Sequence, residues 1–229
     1  MSSNKNWFRL HAETRDFIVI EKAAGANLHR NQRGVSLLDI LKQDYPNVSL
    51  SLVHRLDDAT SGLLLIARHA EAAAELSAQF SRREVEKYYL AIARGKPSKK
   101  QGAVIGDMEK SRNGSYRLSR SKNNPAISYF HSSAIGEGRR VYLLRPKTGK
   151  THQLRVALKS LGVPISGDER YGGELADRCY LHSMVLGFSY KGKAFRYCAV
   201  PEQGRLWDND GLREALLQYA QPWSLQWPK

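Results

Sequence analysis

The sequence predicts an α+β protein with a mixed, largely antiparallel sheet flanked by helices and loops. Three observations carry that prediction. Strand-like segments outnumber helical ones, and the helical ones fall between strands at irregular intervals, unlike a doubly wound α/β pattern. No repeat, low-complexity linker or shift in composition divides the 229 residues, so a single domain over 1–229 with a core at about 16–200 is expected. A chain of this length can bury about 70% of its unfolded surface.

Taken in order, Asp16 to Glu21 (Asp-Phe-Ile-Val-Ile-Glu) reads as a strand punctuated by Gly25. From Ser36, an N-cap residue type, Leu37, Ile40 and Leu41 recur at helical spacing. Leu52 opens a strand, a turn and a second strand whose run Leu63-Leu64-Leu65-Ile66-Ala67 is apolar enough to be buried on both faces. His69 to Arg83 is rich in Ala and Glu, and its helical pattern sets Ala73, Leu76 and Phe80 on one face. Lys87 to Ala93 returns to strand character. Residues 95–125 are rich in Gly, Ser, Asn and Lys and read as an exposed, partly mobile basic hairpin or loop. Strands follow near Ala126–Ser132 and Arg140–Arg145. Thr151 to Leu161 has the pattern of an amphipathic helix that ends at Gly162, and it sets Thr151 and Arg155 one turn apart on one face. Tyr180–Tyr190 and Lys193–Val200 read as the last two strands, with a tail too short for a domain.

The balance of 36 Lys plus Arg against 22 Asp plus Glu gives a net charge of +14, which speaks to partners and not to fold. The charge is concentrated. Twelve basic residues and four acids lie between Arg82 and Lys122, and seven basic residues with no acid lie between Arg139 and Lys159. A phosphate backbone rewards such concentration, because each neutralised phosphate releases counterions. Cys179 and Cys198 are too few and too isolated for a zinc ribbon or a disulfide scaffold, and they read as free thiols in a reducing, cytoplasmic compartment. Met1 to Leu10 is polar, without the apolar core of a signal peptide, and no run approaches the roughly 20 apolar residues of a membrane span.

The chemistry-bearing stretch is Val53-His54-Arg55-Leu56-Asp57-Asp58-Ala59-Thr60-Ser61-Gly62. A polar turn, with Asp57 accepting backbone N–H groups and Asp58 in solvent, fits its spacing as well as an active site does. No Walker-type loop, Gly-x-Gly-x-x-Gly or metal-ligand spacing is present, and His54, His152 and His182 are isolated in the sequence. Adjacent Asp57 and Asp58 diverge on a strand or turn, so a facing carboxylate pair is not supported. One acid would act alone or with an arginine, and a carboxylate beside an arginine stays ionised, fit to be a nucleophile or base.

His54-Arg55-Leu56-Asp57-x-x-Thr60-Ser61-Gly62 resembles the signature of RluA-type pseudouridine synthases. Phe17-Ile18-Val19-Ile20-Glu21-Lys22 with Gly25 and His29, and Lys87-Tyr88-Tyr89-Leu90-Ala91, resemble further motifs in that family's order. So do Thr148-Gly149-Lys150-Thr151-His152-Gln153-Leu154-Arg155, Gly167-Asp168 with Tyr171-Gly172, and Leu181-His182. The resemblance covers about residues 16–200. It departs at Ala23, where Pro is usual, at Lys150, where Arg is usual, and at Ala157 and Ser183, where His and Ala are common.

The resemblance implies a pseudouridine-synthase-like catalytic domain that isomerises uridines in structured ribosomal or transfer RNA without a metal or nucleotide cofactor. It makes Asp57 the catalytic carboxylate, Tyr89 the aromatic face against uracil and Arg155 the basic partner of Asp57. Arg55 enters the stack where the flipped base leaves, and His54, Thr60, Lys150 and His152 join it as RNA contacts. A buried uracil must be flipped out of the stack to meet a carboxylate, a planar guanidinium can fill the vacancy, and an aromatic ring can hold the base. A monomer without a separate N-terminal RNA-binding domain is expected. The rivals are a non-catalytic RNA-binding protein and a metal-dependent nucleic-acid hydrolase.

Overall fold

The computed structural model of the protein describes residues 7–28 and 34–228. His29 and the first six residues, on which parts of the sequence reading fall, lie outside them. The described chain has the α+β composition expected and forms two compact units, one from residues 1–87 and 182–200, the other from 88–181 and 201–229.

The elements of the first unit are β1 (Phe8–Glu13), β2 (Phe17–Lys22), α1 (Leu37–Asp44), β3 (Ser51–Leu52), β4 (Ser61–Ala67) and α2 (Ala70–Ser81). Helix α1 starts where its cap dictates. Ser36 Oγ accepts from the Asp39 N–H, and the Asp39 carboxylate accepts from the Ser36 N–H at 3.0 Å, a reciprocal capping box. Every residue of β4 is buried, which its unbroken apolar run requires of a central strand. β2 pairs antiparallel with β4 from Phe17↔Ala67 to Lys22↔Gly62. On the face of α2 toward the core, Ala72, Leu76 and Gln79 are buried, while Ala73 and Phe80 flank them, a rotation of the expected stripe. Phe17, Val19, Leu63, Leu65 and Leu76 share one core with Leu186 and Phe188 from later in the chain.

The second unit holds β5 (Glu86–Arg94) from Tyr88 on, β6 (Gln101–Gly106), β7 (Met108–Lys110), β8 (Tyr116–Leu118), β9 (Ala126–Gly136), β10 (Arg139–Pro146) and α3 (Gln153–Ser160). Its strands run β5-β10-β9-β6, all antiparallel. Residues 95–125 are therefore more regular than composition indicates. β6 is a full sheet strand, and only β7 and β8 form the basic hairpin. Helix α3 begins two residues later than expected, because His152 takes a left-handed φ of 57°. Thr151 is thus exposed ahead of the helix and does not share a helical face with Arg155. Gly162, with φ of 80°, ends the helix as anticipated.

Strands β11 (Leu181–Tyr190) and β12 (Lys193–Cys198) complete the first unit; β11 runs parallel to β4 and antiparallel to β12. That parallel pair makes the sheet mixed. The tail contains a helix the sequence reading omits, α4 (Asp210–Gln218), capped by Asn209 Oδ1 on the Leu212 N–H at 3.0 Å. Its Tyr219 end is held by a 2.8 Å hydrogen bond between the Tyr219 and Ser133 hydroxyls.

Candidate active site

In the first unit, the turn Asp57-Asp58-Ala59-Thr60 leads into β4, closed by the Thr60 N–H donating to Asp57 O at 2.9 Å. Two further donors meet the next carbonyl. Gly25 N–H reaches Asp58 O at 2.7 Å and the Lys22 ammonium reaches it at 3.0 Å. Lys22 is completely buried at the end of β2, and its ammonium also donates to Ala23 O at 2.9 Å and Ala26 O at 2.8 Å. Burying an ammonium is costly, and three carbonyl dipoles offset the loss of water. The result is a carboxylate-bearing turn braced at its backbone.

The strand that follows is braced as firmly. Gly62 sits at φ 105° across from Ser183, where an added Cβ would lie 2.4 Å from Ser183 O. No other residue allows the β4–β11 approach. Beside it, the buried Ser61 hydroxyl meets His182 Nδ1 at 2.8 Å, and His182 Nε2 meets Ala199 O at 3.0 Å. A carbonyl only accepts, so Nε2 carries the hydrogen and Nδ1 accepts from Ser61.

Arg55 is exposed, as is Asp58, while Asp57 is half-buried and Thr60 is buried. His54 faces the strand: its Nε2 accepts the Leu65 N–H at 3.0 Å, and its ring stacks on Phe80 with centroids 4.3 Å apart. Burial, with Lys87 nearby, depresses its pKa to about 3, so the ring is neutral.

In the second unit, β5 turns successive side chains to opposite faces. Tyr88 lies beneath the Arg145 guanidinium and beside Trp227, so that face is filled by packing. Tyr89, also buried, belongs to the other face and pairs with Leu144 of β10. The loop before α3 is built by two buried polar side chains. Gln153 Oε1 accepts from Thr148 Oγ1 at 2.7 Å and from the Lys150 N–H at 3.0 Å, and its amide donates to Ile127 O and Ser128 Oγ. Lys150 donates to Asn124 O.

Arg155, on the first turn of α3, is 6% exposed. Its Nε and Nη2 donate to the two oxygens of Asp168 at 2.7 and 2.8 Å, a bidentate pair. The Tyr171 ring lies below the guanidinium, its centroid 5.0 Å from Cζ. The Asp168 turn is closed tightly, since a Cβ at Gly167 would fall 1.7 Å from Arg178 O. His152 Nδ1 and the Tyr171 hydroxyl are 2.8 Å apart.

The sequence profile of the RNA pseudouridylate synthase family matches residues 16–160, which include Asp57, Tyr89 and Arg155. The chain belongs to that family. It is 45% identical over 206 residues to an uncharacterized RNA pseudouridine synthase of Haemophilus influenzae, covering 89% of this chain and 92% of that protein. It is 37% identical over 168 residues to ribosomal large subunit pseudouridine synthase C of Rickettsia bellii, covering 71% of this chain but just 56% of that longer protein. Among solved structures, human RNA pseudouridylate synthase domain containing 1 superposes with a TM-score of 0.72 at 26% identity, over 88% of this chain and 86% of that one.

Within this pseudouridylate synthase chain, the anticipated site residues fall into two groups. Asp57, Arg55, His54 and Thr60 share one braced turn of the first unit, with His54 turned to the strand and Thr60 buried. Tyr89, Lys150, His152 and Arg155 lie in the second unit, around β5 and the start of α3. Lys22, Asp168 and Tyr171 are the residues to which sequence reasoning gave no role. All three stand inside motifs it quoted, and a charged residue closing an apolar run, as Lys22 closes Phe-Ile-Val-Ile-Glu, is the available signal. Among the described residues, no three His, Cys, Asp or Glu side chains gather as a metal site, and no helix is long and apolar enough to cross a membrane.

Proposed function

We propose that the chain is an RNA pseudouridine synthase in which Asp57 is the catalytic carboxylate, and that its two units serve one catalytic domain. The reaction breaks the N1–C1′ bond of a uridine and rejoins uracil to C1′ through C5. Asp57 acts at the ribose or the base, Arg155 is its basic partner, and Tyr89 offers its ring to the uracil. Arg55, exposed on the same turn as Asp57, takes the place vacated by the flipped base. His152 and Lys150 contact the RNA. His54 and Thr60 contribute through the turn, since one holds β4 and the other is buried.

The observation that carries this reading is the family match, which runs through Asp57, Tyr89 and Arg155 in order and spans both units. Rigid placement of the carboxylate supports it. A braced turn keeps a reacting group within the small displacements that catalysis tolerates. Ribosomal RNA is the substrate to try first, because relatives such as that of Rickettsia bellii carry it in their names.

The test is pseudouridine mapping on ribosomal and transfer RNA transcripts incubated with the wild-type protein and with Asp57→Asn. The wild type should form pseudouridine and the variant none, with RNA affinity within about twofold. Product formation by Asp57→Asn would overturn the assignment, and RNA binding without product in the wild type would establish the non-catalytic rival.

A further inference from the structure

The hairpin β7–β8 has only three residue pairs, Met108↔Leu118, Glu109↔Arg117 and Lys110↔Tyr116. A ribbon so short is not stable by itself in water. It is nevertheless strongly charged. Lys110, Arg112, Arg117, Arg120 and Lys122 are exposed on it and its flanks. Of the two acids, Glu109 pairs with Arg117, and Asp107 accepts from Ser121 Oγ and the N–H groups of Asn123 and Asn124. Something outside the ribbon must fix where this positive arm points.

The short turn at residues 169–171 does so, chiefly through Tyr171. The Tyr116 N–H, on β8, donates to the Tyr171 hydroxyl at 3.0 Å. The same hydroxyl meets His152 Nδ1 at 2.8 Å, the His152 ring meets the Tyr116 ring edge-on at 5.8 Å, and the Tyr171 ring underlies Arg155. The phenol oxygen accepts from Tyr116 and lies within hydrogen-bond distance of His152 Nδ1, with the direction of that second bond set by the imidazole tautomer. The neighbouring Arg170 adds a guanidinium bond to Asn113 O at the hairpin tip. The arm, the residue that opens α3 and the arginine of α3 thus share a single phenol.

We propose that Tyr171 is a positioning residue that sets the basic β7–β8 arm in register with Arg155, so that phosphates gripped by the arm place the RNA relative to that arginine. The inference rests on the RNA reading above. Packing alone would need the ring of Tyr171 and not its hydroxyl, so removing the oxygen separates the two roles.

The experiment measures binding of a fluorescently labelled RNA hairpin as a function of KCl, with thermal melting of the same samples. Tyr171→Phe keeps the ring and is expected to weaken binding about fivefold, as one lost hydrogen bond would. It should also flatten the plot of log Kd against log salt by about one unit, the worth of one or two phosphates. Lys110→Ser with Arg112→Ser should flatten it by about 1.5 units. Adding Tyr171→Phe to that pair should weaken binding no further, because the arm it aims has lost its charge. Under the same logic, Tyr171→Phe should raise KM by a larger factor than it lowers kcat. A lowered melting temperature with an unchanged salt slope, or losses that simply add, would overturn the proposal. If Tyr171→Phe fails to fold, the Lys110→Ser, Arg112→Ser pair alone decides: an unchanged salt slope and affinity in that pair overturns the proposal. These are binding readouts, so a wild-type protein that forms no pseudouridine sinks the activity reading alone. An active enzyme whose affinity ignores the arm sinks this one alone.

Discussion

Replacing Asp168 by asparagine removes a buried charge paired with Arg155 and keeps the shape of the side chain. The two side chains are 1% and 7% exposed and are joined by bonds of 2.7 and 2.8 Å, so almost no water reaches them. Breaking a buried pair from one side costs about 3–5 kcal/mol, because the remaining charge loses a buried counter-charge and two charge-assisted hydrogen bonds. Asparagine retains one carbonyl for the guanidinium, which places the expected loss near the lower end, about 3 kcal/mol. For a chain of this size that lowers the melting temperature by roughly 6–12 °C. Urea denaturation of four proteins tests the reasoning: wild type, Asp168→Asn, Arg155→Met, and Arg155→Met combined with Asp168→Leu. The combined variant should lose less than the sum of the separate Arg155 and Asp168 changes, since it removes both members of that pair together. An Asp168→Asn loss under about 1 kcal/mol, or strictly additive losses, would show that solvent or another group already balances Arg155.

Two further outcomes follow from the first unit. Gly62→Ala adds a Cβ 2.4 Å from Ser183 O at a φ of 105°, so it should separate β4 from β11 and destabilise the protein by about 3 kcal/mol or more, read by chemical denaturation. His54 has a folded pKa near 3 against 6.5 unfolded, so between those values the unfolded state holds the extra proton. Its contribution is therefore complete above pH 6.5 and is lost as the pH falls toward 3, by about 1.4 kcal/mol per pH unit within the window. Denaturation at pH 7 and pH 5 checks this, and His54→Gln should show a shallower dependence than the wild type; equal slopes would refute it.

Much of the fold was legible because helices and strands declare themselves over a few residues. Ser36 announces α1 and closes its capping box with Asp39, and Gly162 ends α3. The run Leu63 to Ala67 is what a strand buried on both faces needs. Where local pattern was weak, reading was weak too. Gln101–Gly106, inside the Gly- and Ser-rich stretch 95–125, becomes a strand only because β9 offers it a ladder, and His152 in a left-handed conformation delays α3 past Thr151. The exposed face of β1 and the short turns around α4 left no periodic trace long enough to read.

The site divides in the same way. The sequence by itself determined the family, through several motifs in one order, and with it Asp57 as the acid to test and RNA as the class of partner, through motif order and concentrated charge. Only the tertiary structure decided who holds whom. Asp58 O accepts Lys22 from 36 residues away, Ser61 meets His182 across 121, and Arg155 is claimed by Asp168 and Tyr171 beyond the end of its own helix. The physical reason is that periodicity reflects backbone geometry within a few residues. The partner of a buried charge is chosen by desolvation, which acts only once the chain has closed around it.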